Sequence, residues 1–350
     1  MTTTTTRSQQ IYETLCDSLA SGDYQAGDSL PSLRLLASEY GTSVGTVRGA
    51  LSLLAHEGRI EARHGSGFYV AERPRSAVRT VLLIARTEGD LWSDFVRLFS
   101  DQLSESPDTR LILEKPPAYR QLAAFQAKIA RYVEDGVDAI VFDGSAYSHL
   151  GFLRSYVERV YTLCYFDDYI AQAWPCAKVM SDFFHGGYTG ARHLLDRGAR
   201  RIAFIVPYTY DRDDSRDQHQ TAAGCDRAAQ DVGDGAICQT VLLAGNDAAA
   251  SERLRELFSG DQRPDAVFGY CDFRLENVIA VMAEMGLRAP EDVKLLGYYD
   301  TPWCQFLKPE LSSISVCPDE IVAEAWRLIQ SLAMENHVVR PHVIGRASSI

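Results

Sequence analysis

Between Thr80 and Tyr299 the chain repeats one pattern. Short apolar runs (TVLLIA, RLILE, DAIVFD, VYTLCYF, RIAFIV, AICQTVLLA, DAVFGY and VKLLGYY) alternate with segments of helical spacing. The helical segments are Trp92–Leu103, Gln121–Glu134, His185–Arg197, Arg216–Asp231, Ala248–Phe258 and Arg274–Met285. Few architectures accept such an alternation, because parallel strands need long crossovers and helices supply them. Several runs are apolar throughout, as strands must be when helices cover both faces of a sheet. Roughly 265 residues with this many strand–helix units exceed one compact sheet, so two linked α/β lobes are expected.

Upstream of this region the periodicity differs. In GTSVGTVRGALSLLAHEG, Val47, Ala50, Leu51 and Leu54 fall at i, i+3, i+4 and i+7, one buried helical stripe. The opposite face carries Gly45, Thr46, Arg48, Gly49 and Ser52, small groups around a single arginine. A helix that simply faced water would display longer charged side chains. Before it, Pro31-Ser32 fits a helix start and Leu33, Leu36 and Ala37 continue with helical spacing. A break containing Gly41 follows, and Ser43 is placed to cap the second helix. Two strand runs, Arg59–Arg63 and Phe68–Val70, flank the tip HGSG. Helix, tight turn, helix and hairpin in that order predict a winged helix. Small residues on the exposed face then let the backbone approach base edges, and Arg48 can reach a phosphate or guanine. The wing tip brings His64 and its glycines, with Arg63 nearby, to a neighbouring groove or backbone.

Composition narrows the alternatives. The chain is 46% hydrophobic and 23% charged, as globular proteins are, and its formal net charge is −12. A coat for nonspecific nucleic-acid binding is therefore excluded. Residues 1–79 hold eight arginines and eight acids, so DNA contact must come from a local patch. The opening MTTTTTRSQQ has no apolar residue after Met1 to pack and is expected to be disordered. It also lacks the apolar core of a secretory signal, and no apolar run approaches the roughly 18 residues of a membrane span. A cytoplasmic protein without membrane contact is expected. The eight cysteines are scattered without a CxxC pair, and His185 and His193 are two helical turns apart. Neither a metal nor another cofactor is expected.

Residues 8–71 resemble the GntR family of bacterial regulators, through AGDSLPSLRLLASEYGTSVGTVRGALSLLAHEG and the wing RHGSGFYV. The resemblance implies DNA contacts from Arg34, Thr46, Arg48, His64 and Gly65, with Ser43 and Arg63 beside them. Members commonly carry arginine at the start of the recognition helix, where this chain has Val44. A bidentate arginine–guanine contact discriminates by about 1–3 kcal/mol, so a different operator is implied. Residues 72–79 mix charge and proline without apolar periodicity and are expected to be a linker between domains at 1–71 and 80–350.

From about Val81 to Arg346 the chain resembles the LacI/GalR type of effector domain, itself similar to periplasmic sugar-binding proteins. The segments that carry this are VMSDFFHGGYTGARHLLDRGARRIAFI, RPDAVFGYCDFRLENVIAVMAEMGLRAPEDVKLLGYYD and LKPELSSISV. Head and body together resemble the arabinose-repressor arrangement. The implied fold is α/β with an N-terminal winged helix and a two-lobed, type I periplasmic-binding-protein-like sensor built on parallel sheets. The implied partners are double-stranded operator DNA, a small-molecule effector of carbohydrate type in the cleft, and a second copy of the chain.

In open α/β sheets ligands bind beyond the carboxyl ends of strands. Asp167, Asp168, Asp272 and Asp300 all follow strand runs, where a carboxylate either holds a sugar hydroxyl or caps the next helix. Asp167 also matches a ligand position of the family. Where sugar-binding members have polar contacts, this chain has Thr221, Cys271 beside Asp272, and Tyr299 beside Asp300. These exchanges imply a changed effector, or a sensor that no longer binds a sugar and serves dimerisation or partner contact. Trp92 is placed to stack on a flat ligand face or to pack in a core. The charged run YTYDRDDSRDQHQ reads as a solvated loop; in the alternative, His219 or Arg216 lines the cleft. An enzyme is the third class, but GxGxxG after a strand, GxxxxGK[ST], HExxH and GxSxG are all missing.

Overall fold

The computed structural model describes the chain apart from residues 1–6, 22, 26, 57–58, 64–66, 71–77, 87–89, 105, 107, 119–120, 144–150, 165–175, 208–215 and 244–247. The chain divides into two compact units, the first of residues 1–78 with Gln330–Leu332, the second of Arg79–Ile329 and Ala333–Ile350.

In the first unit, α1 (Arg7–Ser21), α2 (Leu33–Glu39) and α3 (Val44–His56) precede the antiparallel strands β1 (Ile60–Arg63) and β2 (Gly67–Val70). The expectation of a disordered start is corrected at Arg7–Gln10, which form the first turn of α1. This turn holds its place by polar contacts, a signal that a search for apolar residues misses. Ile11, Leu15, Leu36, Val47, Leu51, Leu54 and Ile60 form the core, so the buried stripe of α3 is as expected.

The turn between α2 and α3 follows from its residues. Tyr40 ends α2, and Gly41 adopts a left-handed backbone with φ +58° that costs glycine little. The Thr42 N–H then donates to the Ala37 carbonyl at 2.9 Å and the Gly41 N–H to the Ser38 carbonyl at 3.3 Å. Ser43 starts the next helix, its Oγ accepting from the Thr46 N–H at 3.1 Å.

The second unit contains two six-stranded sheets. The first runs β13-β7-β6-β5-β3-β4, from β3 (Thr80–Ile84), β4 (Arg110–Glu114), β5 (Ala139–Asp143), β6 (Val160–Cys164), β7 (Ala177–Ser181) and β13 (Asn336–Val339). The second runs β14-β12-β11-β10-β8-β9, from β8 (Arg201–Pro207), β9 (Ile237–Leu243), β10 (Ala266–Gly269), β11 (Lys294–Tyr298), β12 (Ser312–Ser315) and β14 (His342–Ile344). Every pairing is parallel except β12 with β14, so the second sheet carries one antiparallel edge. The short strands β7, β12, β13 and β14 lie outside the runs singled out by apolarity.

Helices α4 (Asp90–Ser104), α5 (Leu122–Glu134), α6 (Phe183–Asp196), α7 (Arg216–Val232), α8 (Ala248–Ser259), α9 (Leu275–Glu284), α10 (Trp303–Phe306) and α11 (Pro318–Ser331) complete this unit. Helix α11 shows why such segments fold: Pro318 opens it, Asp319 and Glu320 sit at its positive end, and Ile321, Val322, Ala325, Trp326, Leu328 and Ile329 are buried. Helices α6 and α7 cross so closely that a Cβ at Gly187 would strike the Thr221 carbonyl, and one at Gly224 the Phe184 carbonyl. The chain passes from one sheet to the other after β7, after β12 and between β13 and β14.

In both sheets the first strand, β3 or β8, stands between the second and third. Strand order therefore reverses between β3 and β5, and between β8 and β10. Such switch points open a crevice at the carboxyl ends of the flanking strands, which is where α/β sheets bind ligands.

Candidate nucleic-acid interface and effector crevice

Helix α3 buries Val47, Ala50, Leu51 and Leu54 completely and leaves Gly45, Arg48, Gly49 and Ser52 exposed. Its first turn carries no acidic residue. Among the described residues no acid pairs with Arg48, so its exposed guanidinium can meet an anionic surface. Thr46 is half-buried, and its Oγ1 lies 2.8 Å from Ser43 Oγ, so the two hydroxyls hold the first turn of the helix. Arg34 is exposed on α2. Arg63 ends β1 with its guanidinium 4.4 Å from the Tyr69 ring centroid and 3.9 Å from Glu61, which spreads it along the wing. His64 and Gly65 fall outside the described residues.

The reason for Gly49 needs correction. A Cβ there would come within 3.0 Å of Ser8 Oγ in α1, and the Ser8 hydroxyl donates to the Thr46 carbonyl at 3.3 Å. Gly49 therefore makes room for α1, where the sequence pattern assigned it to close approach of DNA.

In the second unit, the structure uses the proposed effector groups differently. Asp272 is 1% exposed. One carboxylate oxygen accepts from Ser313 Oγ at 2.6 Å; the other accepts from the Thr301 N–H at 2.7 Å and Thr301 Oγ1 at 2.9 Å. Asp272 is neither an open sugar contact nor the cap of the following turn, which starts at Cys271 without a side-chain cap. It braces the loops after β10 and β11 against β12. Burial raises its pKa to about 6, against the lowering effect of these hydrogen bonds.

Asp300 pairs with Arg346, whose Nη1 lies 2.6 Å away and also donates to the Leu311 carbonyl. Thr221 is fully buried under Gly187, and its Oγ1 donates to the Asp217 carbonyl at 2.8 Å. A group sealed between two helices has no face left for a ligand. His219 lies on the exposed face of α7, opposite the buried Asp217, Gln218 and Thr221. Asp167 and Asp168 fall outside the described residues; Trp92 lies in α4 and Arg216 opens α7, and the side chains of both are outside the description.

The β8–β10 switch point shows what pattern reading missed. Tyr270 follows β10 and donates its hydroxyl to Asp217, which is 2% exposed. The Tyr270 and Tyr299 rings meet edge to face at 6.2 Å, and Tyr299 meets Tyr298 at 5.0 Å. Tyr298 stacks on Phe268 and Phe183, continuing the column into the lobe. Burial and the Asp217 charge push the Tyr270 pKa up, so the phenol stays a donor. Burial likewise pushes the neighbouring Cys271 thiol up to about 12, which keeps it unreactive. The helix α7 begins inside the run read as a solvated loop. The small residues Thr221, Gly224, Cys225 and Ala228 at helical spacing were the signal that this end of it is buried.

Comparison with known proteins places both halves. Residues 7–70 match the bacterial regulatory proteins of the gntR family, and residues 191–349 match the periplasmic binding protein-like domain. The chain is thus similar to gntR regulators in its head and to the periplasmic binding protein-like domain in its body. It is similar to the HTH-type transcriptional repressor PurR of Klebsiella pneumoniae, 26% identical over 216 residues, covering 61% of each chain. The PurR of Erwinia tasmaniensis is 28% identical over 153 residues, 43% of each. The chain thus spans 43% to 61% of the length of these curated relatives, which are transcriptional repressors.

Among solved structures, a LacI transcriptional regulator from a Rhodococcus species shares the fold. Its TM-score is 0.62 and its identity 20%, over 77% of this chain and 98% of that one. A LacI family regulator from Enterococcus faecium with bound ribose gives a TM-score of 0.59 at 20% identity, over 77% and 98%. Among the described residues, no helix is long and apolar enough to cross a membrane, and no three metal-binding side chains stand together.

Proposed function

We propose that this chain is a transcriptional repressor that binds double-stranded operator DNA through a head at residues 1–71. A linker at 72–79 joins the head to a sensor at 80–350, where a small molecule bound between the lobes controls DNA binding. The observation that carries this reading is α3 itself: a Ser43-capped helix with Arg48 and small residues exposed, no acid in its first turn, and a paired wing behind it. The protein acts in the cytoplasm, as a homodimer whose two heads read symmetric half-sites. Phe273 and Phe306, 57% and 80% exposed on neighbouring elements of the second lobe, support pairing through the body.

Sequencing of genomic fragments retained by the purified protein tests the DNA reading. A shared palindromic sequence is the expected result, and failure to retain any fragment at low ionic strength would overturn it.

A second reading, a regulator whose sensor takes no sugar, is favoured by the internal use of Asp272, Asp300 and Thr221. Titrating ribose, sugar acids and nucleosides separates the two. A compound that raises the melting temperature and also shifts operator affinity supports sensing. A melting temperature unmoved by every compound supports a body that only dimerises.

A further inference from the structure

Two contacts join the first turn of α1 to the helix-turn-helix. One Arg7 Nη donates to the Tyr40 carbonyl at 2.7 Å, and the other to Gln10 Oε1 at 3.1 Å. Tyr40 caps the C-terminus of α2, so the guanidinium sits on the turn that aims α3. A cation at a helix C-terminus also meets the negative end of the peptide dipoles. One residue on, Ser8 reaches α3: its hydroxyl donates to the Thr46 carbonyl, and Gly49 lies bare against it.

We infer that Arg7 and the Ser8–Gly49 contact position the recognition helix, and that base selectivity depends on them although neither need touch a base. This rests on the DNA-reading function proposed above. The physical reason is that α3 reads through its N-terminal turn, where a small tilt displaces Arg48 from its partner. Ile11 and Leu15 hold the middle of α1 to the core. Its first turn is held by the polar contacts of Arg7 and Ser8. Loss of Arg7 therefore frees the aiming of α3 without unfolding the head.

The test uses the full-length protein, a fragment it selects from its genome and a scrambled fragment of equal length. Arg7→Ala is expected to lower operator affinity about tenfold, the weight of one charge-assisted hydrogen bond, and scrambled-DNA affinity far less. Arg7→Lys, which still reaches the Tyr40 carbonyl, restores most of the selectivity. Equal losses on both fragments, with a salt dependence shallower by about one phosphate contact, would make Arg7 a plain backbone contact and overturn the inference.

Amide hydrogen exchange without DNA gives a separate reading. Exchange at Thr42 and Val47 should quicken in Arg7→Ala, and unchanged exchange refutes the anchor even if the protein ignores DNA. Finally, Gly49→Ala should reduce selectivity by pushing on Ser8 Oγ, and in a Ser8→Ala background, which lacks that hydroxyl, the same change should cost little further. An equal further loss there would mean that Gly49 acts by facing DNA, contrary to the inference.

Discussion

Replacing Asp272 by asparagine should change how the body's stability responds to pH. The folded protein holds this carboxyl at a pKa of about 6, against an unperturbed value of 3.8. A raised pKa means that the folded state binds the proton more tightly than the unfolded chain. The associated stability is complete below pH 4 and is lost as pH rises through about 6. A shift of about two units corresponds to about 3 kcal/mol. At neutral pH, Ser313 and Thr301 offset part of the cost of burying the charge. Asparagine carries no charge to bury. Its carbonyl can keep the two Thr301 donors, and its amide can face Ser313 Oγ, which already accepts from the Asp300 N–H at 3.0 Å.

The assay is urea unfolding followed by tryptophan fluorescence. All four tryptophans, Trp92, Trp174, Trp303 and Trp326, lie beyond Arg79, so the signal reports the body and not the head. The stability of Asp272→Asn relative to wild type should grow by about 2 kcal/mol between pH 4 and pH 7, at constant denaturant slope. Asp272→Ala should instead lose about 3 kcal/mol or more at pH 7, because the Thr301 N–H and two hydroxyls lose their acceptor. A wild type and asparagine variant that stay parallel from pH 4 to 7 would refute the reasoning, since a carboxylate with ordinary hydration has no such dependence.

Arg48→Ala should weaken operator binding by about 1–3 kcal/mol and relax preference at one base position, measured by selection from a randomised site. Unchanged selectivity would remove Arg48 from base readout. Ser43→Ala should cost about 1 kcal/mol at the start of α3, seen as faster amide exchange at Thr46 and Val47. Gly187→Ala should destabilise the body by about 1–3 kcal/mol or more in the same fluorescence assay, because its Cβ meets the Thr221 carbonyl rather than a flexible side chain. A melting temperature equal to wild type would show that the two helices are farther apart.

Elements whose burial follows a single period were readable from the sequence. Strands such as β3 and β8 are apolar because both faces are covered, and α3 repeats its core residues at helical spacing. The Gly41 turn and the Ser43 cap were readable because each rests on one residue's local chemistry. Strands β12, β13 and β14 were not, since three or four residues carry no period and Ser312 and Ser313 are buried by hydrogen bonds that only the fold supplies. The candidate site was least legible. A strand-end aspartate has the same sequence signature whether it faces a ligand or another loop. What decides the matter for Asp272 lies 29 and 41 residues away, in Thr301 and Ser313. Asp217 was hidden for the opposite reason: its sequence neighbours are charged, and its partner Tyr270, which helps make the burial tolerable, lies 53 residues away.

These internal bonds bear on how a signal could pass through the body. A ligand shifts a conformational equilibrium only by its differential affinity for the two states. Asp272 ties the ends of β10 and β11 to β12, and the Asp300–Arg346 pair ties β11 to the segment after β14. Bonds within one lobe are the same in an open and a closed arrangement, so they contribute nothing to that difference. They tie the second lobe together, so a change in lobe arrangement would turn on the three passages between the sheets. An effector of this body must then gain its differential affinity from contacts that span both lobes. Linkage then requires that operator DNA change the affinity for that effector by the same factor as the effector changes operator affinity. Equal coupling in both directions is the thermodynamic signature of sensing, and a body that only dimerises has no effector to show it.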